Sequence, residues 1–148
     1  LLIIGDGPLR RRVEALAQSG ANVTYRGHCS RTQVWAAMQR ALCVVVPSLW
    51  SEVAPVVIVE AMATATACVV TDHGAGVDMV GHEQAGLLIP PRDPTALANA
   101  CRRLWRDAIL ARRLGANGRR RFEEHYQSGP AVARLLAVYR DVKEKPNR

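Results

Sequence analysis

The chain has 148 residues, 49% of them hydrophobic, which is the size of one ordinary domain with enough apolar material for a real core. Twenty basic residues stand against 13 acidic ones, a formal charge of +7, and all but two of the basic residues are arginine. No apolar run reaches the roughly 20 residues that span a bilayer, and with only 5% aromatic content nucleic-acid binding would rest on charge alone, which speaks against it.

In chain order, "LLII" reads as a strand, "GDGP" as a turn and Leu9–Gln18 as a helix. "NVTYRG" reads as strand and turn, and Gln33–Arg40 as a helix. "ALCVVVPS" is a continuous β-branched run of the kind that parallel strands show when buried on both faces. "ACVVT" is another, and "AGLLIPP" a third. From Pro94 onward the pattern is helical, with breaks expected near Gly115–Gly118 and Ser128–Pro130. "KEKPNR" reads as a frayed tail.

This alternation predicts an α/β fold with a doubly wound, Rossmann-like parallel sheet. Ligands of such sheets bind beyond the carboxyl ends of the strands. The loops "GDGP", "GHCS", "SLWSEVAP" and "DHGAG" are therefore where chemistry is sought, although any one of them read alone is an ordinary strand-to-helix turn.

"PVVIVEAMATA" is the instructive conflict. Val56, Val57, Ile58 and Val59 favour a strand by propensity. Two parallel strands flank the segment, however, and parallel strands need a crossover, so the segment predicts a mostly buried helix from Pro55 to about Thr64. The amino end of that helix presents unpaired N–H groups to the ligand side, a place for phosphate. Glu60 lies about 7.5 Å further along the axis, leaning back toward that end, where it can meet the hydroxyls of a ribose. Glu52 lies in the preceding loop, on the far side of such a phosphate. On the residues alone, a structural partner such as an arginine accounts for Glu60 equally well.

Cys29, Cys43, Cys68 and Cys101 form no C-x-x-C pair, and Cys43 and Cys68 sit in apolar runs as buried reduced thiols do, which points to a cytosolic setting and away from a metal cluster. Many arginines fall in "CRRLWRDAILARRLGANGRRRFEEHYQ", where Leu104, Ile109, Leu110, Leu114 and Phe122 are expected to face inward. A solvated helix face is the preferred reading of those arginines, and peripheral attachment to acidic lipid on the inner face of a membrane the next. His28, His73, His82 and His125 read as loop or surface residues, His28 being the one most open to a role.

The order of these motifs resembles the C-terminal, nucleotide-sugar-binding domain of GT-B glycosyltransferases of the retaining group 1 type, often called family 4. The resemblance rests on "LLIIGDGPLRRRVEALA", "VTYRGHCSRTQVWAAM", "ALCVVVPSLWSE", "PVVIVEAMA", "VVTDHGAG", "AGLLIPPRDPTALANA" and "LGANGRRRFEEHY", and covers essentially the whole chain. The pair of glutamates separated by seven residues, set between "VPS" and "EAMA", is its most specific feature. It implies that Glu52 lies by the donor sugar and stabilises the transition state, and that Glu60 binds the ribose hydroxyls. Backbone amides over Val53, Ala54, Pro55 and Val56 would hold the diphosphate, and the loops at Gly5 and His28 complete the nucleotide site, His28 near the base. No metal or cofactor is implied beyond the donor, a nucleoside diphosphate sugar, because helix amino ends and basic side chains neutralise the leaving group. The acceptor would be a glycan or lipid hydroxyl. Residues 1–148 would be one donor-binding domain that lacks its first strand and the N-terminal acceptor domain, and would be inactive alone. The chain departs from the family at Val53 and Ala54, at Ala65 and Ala67 after "EAMA", at Ala75 and at Asp78. The glycine replacements at Ala65 and Ala75 support the alternative of a non-catalytic nucleotide-binding or interaction module.

Overall fold

The computed structural model describes residues 1–144. Of the tail expected to fray, Lys143 and Glu144 close the last helix, and residues 145–148 lie outside the described residues. Contacts divide the chain into two compact units, Leu1–Ala37 and a second beginning at Met38.

The first unit pairs two short parallel strands, β1 (Leu2–Ile3) and β2 (Thr24–Tyr25), joined by α1 (Arg10–Gln18). Helix α2 (Arg31–Arg40) begins in this unit and ends in the next. The second unit holds a three-stranded parallel sheet in the order β3 (Cys43–Val46), β4 (Ala67–Thr71), β5 (Gly86–Ile89). The crossovers are α3 (Val56–Ala63) and α4 (Ala75–Val80). Helices α5 (Pro94–Arg106) and α6 (Ala108–Arg121), one π-helical turn (Phe122–Tyr126) and α7 (Ser128–Glu144) follow. Parallel strands alternate with helices as expected, but their hydrogen bonds form two ladders instead of one, since no described strand bonds to both β1 and β3.

Strand alternation distributes the core of the second unit over both faces of its sheet. Cys68 and Val70 of β4, with Val44 and Val46 of β3, pack against Ile58, Ala61 and Met62 of α3 and Met79 and Val80 of α4. Ala67 and Val69, with Leu87 and Ile89 of β5, pack against Ala100 and Leu104 of α5 and Leu110, Ala111 and Leu114 of α6. The sheet is wound on both sides, and "VVIVEAMA" is a helix in spite of its β-branched residues, because burial against the sheet outweighs a propensity of a few tenths of a kcal/mol per residue.

Three expectations change. Helix α6 runs through Gly115 and Gly118 without a break. A Cβ on Gly115 would stand 2.1 Å from the Ala65 carbonyl oxygen, so this glycine lets α6 approach the end of α3 rather than ending the helix. The break falls instead at Asp107, which closes α5 and whose carboxylate accepts the Leu110 N–H at 2.8 Å to start α6. Ile109, expected inside, is 76% exposed. Asp107 sets the phase of α6 so that Leu110, Ala111, Leu114, Gly115 and Gly118 face in, and Ile109 falls outside that stripe. Cys43 is half-buried, whereas Cys68 is buried as expected, and all four cysteines are free thiols.

Candidate active site

The second unit carries the cluster nearest to the expected chemistry. The loops after β3 and β4 meet at the carboxyl ends of their strands, and Ser48, Trp50, Glu52, Pro55, Thr71, His73 and Gly76 line a small cleft of about 10 Å³ above Val46, Val70 and Ile58. That volume holds about one water molecule. Glu52 is half-buried and fixed from two sides. Its carboxylate accepts a short hydrogen bond from the Ser48 hydroxyl, and its carbonyl accepts the Ala75 N–H at 3.2 Å. The Ser48 carbonyl in turn accepts a 2.7 Å hydrogen bond from Nε2 of His73, which places a proton on that ring nitrogen. Ser48 and His73 are thus joined to Glu52 in one chain of hydrogen bonds.

The close approach of the two loops depends on Gly74. Its φ is +69°, and a Cβ there would stand 3.0 Å from the Ser51 hydroxyl oxygen and 3.2 Å from the Glu52 nitrogen. Position 75, by contrast, is the first residue of α4, where alanine is an ordinary helix residue. Ala65 does carry a cost, since its φ of 56° belongs to the left-handed region that glycine occupies freely.

Helix α3 begins at Val56, with Pro55 at its N-cap, one residue later than its first turn was expected. No side chain caps this end. Pro55 is buried, whereas Val53, Ala54 and Val56 are exposed and line an open apolar groove with Val59, Ala75, Asp78, Met79 and Tyr126. The groove measures about 370 Å³. Glu60 is half-buried one turn into α3 and is not part of the lining of either cavity. In the first unit, the Gly5 N–H donates to the Gly27 carbonyl at 2.7 Å, which ties the "GDGP" loop to the loop carrying the exposed His28. Gly5 has a φ of +126°, and its carbonyl accepts the Tyr25 hydroxyl at 3.0 Å. So Glu52 and Pro55 share the cleft, Val53, Ala54 and Val56 share the groove, and Gly5 and the His28 loop adjoin one another within their own unit.

Two participants escape the reading of the residues. Histidine 73 looks like a surface residue in sequence, and Ser48 looks like the end of a strand. The topology supplies the signal for both, because adjacent parallel strands bring their carboxyl-end loops together.

The sequence profile of the family "Glycosyl transferases group 1" matches residues 1–121. The chain belongs to the group 1 glycosyltransferases. Among curated relatives, the O-antigen chain mannosyltransferase C of Escherichia coli is 30% identical over 97% of this chain and 40% of its own length. The phosphatidyl-myo-inositol mannosyltransferase of Mycobacterium leprae is 30% identical over 96% of this chain and 38% of its own. Sucrose-phosphate synthase from Thermosynechococcus elongatus superposes with a TM-score of 0.84 at 34% identity, over 97% of this chain and 38% of its own. The Anabaena HepE structure in complex with UDP shares the fold, with a TM-score of 0.83 at 20% identity over 95% of this chain and 40% of its own. The chain spans about 40% of the length of these relatives, and the glycosyltransferase fold of its neighbours matches the Rossmann-like half of a GT-B architecture expected from the motifs.

Proposed function

We propose that this chain forms the donor-binding part of a retaining, metal-independent glycosyltransferase that moves a sugar from a nucleoside diphosphate sugar to a glycan or lipid hydroxyl. The observation that carries the reading is the amino end of α3, which no side chain caps, standing directly behind a loop in which Glu52 is held by Ser48 and Ala75. An uncapped helix start attracts phosphate through its free N–H groups and its dipole. Of the residues expected to hold the diphosphate, Val53, Ala54 and Val56 can donate an N–H, whereas Pro55 has none and shapes the turn. Glu60, one turn along, would take the ribose hydroxyls through charge-assisted hydrogen bonds.

In the transfer step the bond between the anomeric carbon and the phosphate oxygen breaks. The electron pair leaves with the diphosphate, whose growing charge the helix start stabilises, and the acceptor hydroxyl attacks from the same face, its proton passing to the departing diphosphate oxygen as the new carbon–oxygen bond forms. The carboxylate of Glu52, which takes the Ser48 hydroxyl rather than a cation, is available to stabilise positive charge developing on the sugar. The competing reading of a non-catalytic module has less support once position 75 is found within a helix, since alanine there costs nothing.

Turnover tests the proposal. In the full-length protein, Glu52→Gln is expected to lower kcat about 100-fold or more with little change in nucleotide affinity, in line with the loss of one electrostatic contact to a transition state. Unaltered kcat would remove Glu52 from the chemistry, and binding without turnover in the unmodified protein would favour the module.

A further inference from the structure

The corner between α5 and α6 exposes what a core would ordinarily hide. Trp105 is 78% exposed at the end of α5 and Ile109 76% exposed at the start of α6, four residues apart across the Asp107 corner. Residues 102–113 carry five arginines and one acid. Arg102, Trp105 and Arg106 fall on one face of α5 by their spacing of three and four, and Ile109, Arg112 and Arg113 fall on the outer side of α6, opposite Leu110 and Leu114. All of these outward residues are exposed.

The acids nearby are committed elsewhere. Asp107 caps α6, and Glu83 pairs with Arg103 at 2.5 Å. Arginines further along α6 have structural duties: Arg119 donates to the Ala63 carbonyl at 2.5 Å and to Glu123 at 2.7 Å, and Arg121 donates to the Asp78 carbonyl at 2.9 Å. Among the described residues, Arg106 and Arg112 have no such task, Arg113 only adds to the positive field that holds the Glu83 carboxyl low, and Arg102 bonds within its own helix, to Asn99.

We propose that the Trp105–Ile109 corner of the α5–α6 pair, framed by Arg102, Arg106, Arg112 and Arg113, is a docking surface for an anionic lipid membrane. The chemistry fits from both sides. Guanidinium groups bind lipid phosphates, an indole settles at the boundary between headgroups and acyl chains, and an isoleucine beside it adds apolar burial. A second copy of the chain docking the same surface against itself would bring like charges together, which disfavours self-association there. No helix among the described residues is long and apolar enough to cross a membrane, so the contact is peripheral. The inference concerns a surface apart from the cleft at Glu52 and holds whether or not sugar is transferred.

Flotation with vesicles tests it in the absence of any donor. The full chain is expected to float with vesicles of phosphatidylglycerol and phosphatidylcholine mixed one to two, and not with phosphatidylcholine alone. The double variants Trp105→Ser/Ile109→Ser and Arg102→Glu/Arg106→Glu should each lower partitioning about tenfold or more, whereas Arg140→Glu on α7 leaves it unchanged. Because these residues are exposed, cooperative unfolding of the variants should be preserved, and circular dichroism verifies it. Failure to float with anionic vesicles, or flotation unaffected by the Trp105/Ile109 variant, overturns the proposal. So does a concentration-dependent dimer in sedimentation that the same variant abolishes, which would assign the corner to a second copy.

Discussion

Strands β3 and β4 are built from nearly the same residues, Cys-Val-Val-Val and Ala-Cys-Val-Val-Thr, and meet different fates. All five residues of β4 are buried, whereas in β3 only Val46 is. The two strands pair in register, Val45 beside Val69. The difference is in their neighbours: β4 lies between β3 and β5, while β3 has β4 on one side and, among the described residues, no ladder partner on the other. In both, a β-branched run forms a strand, and the flanking elements decide how deeply it is covered.

The comparison can be broken most sharply at the far flank of β4. Gly86 of β5 lies so close that a Cβ would stand 2.3 Å from the Cys68 carbonyl oxygen. Gly86→Ala must push the two strands apart and is expected to cost about 3 kcal/mol or more, read as a lowered urea midpoint. A milder contrast follows from the register. Val69→Ala should cost roughly 2 kcal/mol and its partner Val45→Ala about half of that, because Val45 is only partly buried. Equal costs would mean that the free side of β3 is covered in solution.

The thiols sharpen the same contrast chemically. Burial pushes the Cys68 thiol from its usual 9.0 up to about 12, and burial followed by the adjacent Cys101 does the same for Cys43. A thiol whose pKa is raised by folding stabilises the fold while the unfolded chain is still protonated, so stability is complete below pH 9 and declines as pH rises toward 12. Cys68→Ala should flatten that alkaline decline, and denaturation midpoints measured across the range check it. At neutral pH, alkylation is expected first at Cys29 and last at Cys68. The smallest effect lies just before β4, where Ala65→Gly should stabilise the protein by about 1 kcal/mol by relieving the left-handed φ of 56°.

Much of this fold was readable in the residues, and the failures share a cause. Strand β4 begins and ends where its apolar run does, and α3 was recognised as a helix because a parallel crossover demands one. Helix α4 shows in the sequence only as the "DHGAG" loop, since its six residues are too few to show a period. The apolar pattern puts Ile109 inside because it cannot tell where a helix resets its phase, which Asp107 does here. Gly115 looks like a break in the sequence, although its role is to admit the Ala65 carbonyl, a contact between segments fifty residues apart in sequence. At the site, Glu52 was visible from its motif, while Ser48 and His73 joined it only through the meeting of two loops. Local pattern identifies elements and motifs, and long-range packing decides what they touch.

In the proposed function, the start of α3 and Glu60 form a nucleoside diphosphate site. Calorimetric titration of the folded protein with UDP, GDP and ADP, repeated with Glu60→Ala, tests it most directly. One of the three is expected to bind, and the substitution to weaken it about 10- to 100-fold, the loss of charge-assisted hydrogen bonds to the ribose. Binding of none by a protein that still unfolds cooperatively, or equal affinity after Glu60→Ala, would contradict it.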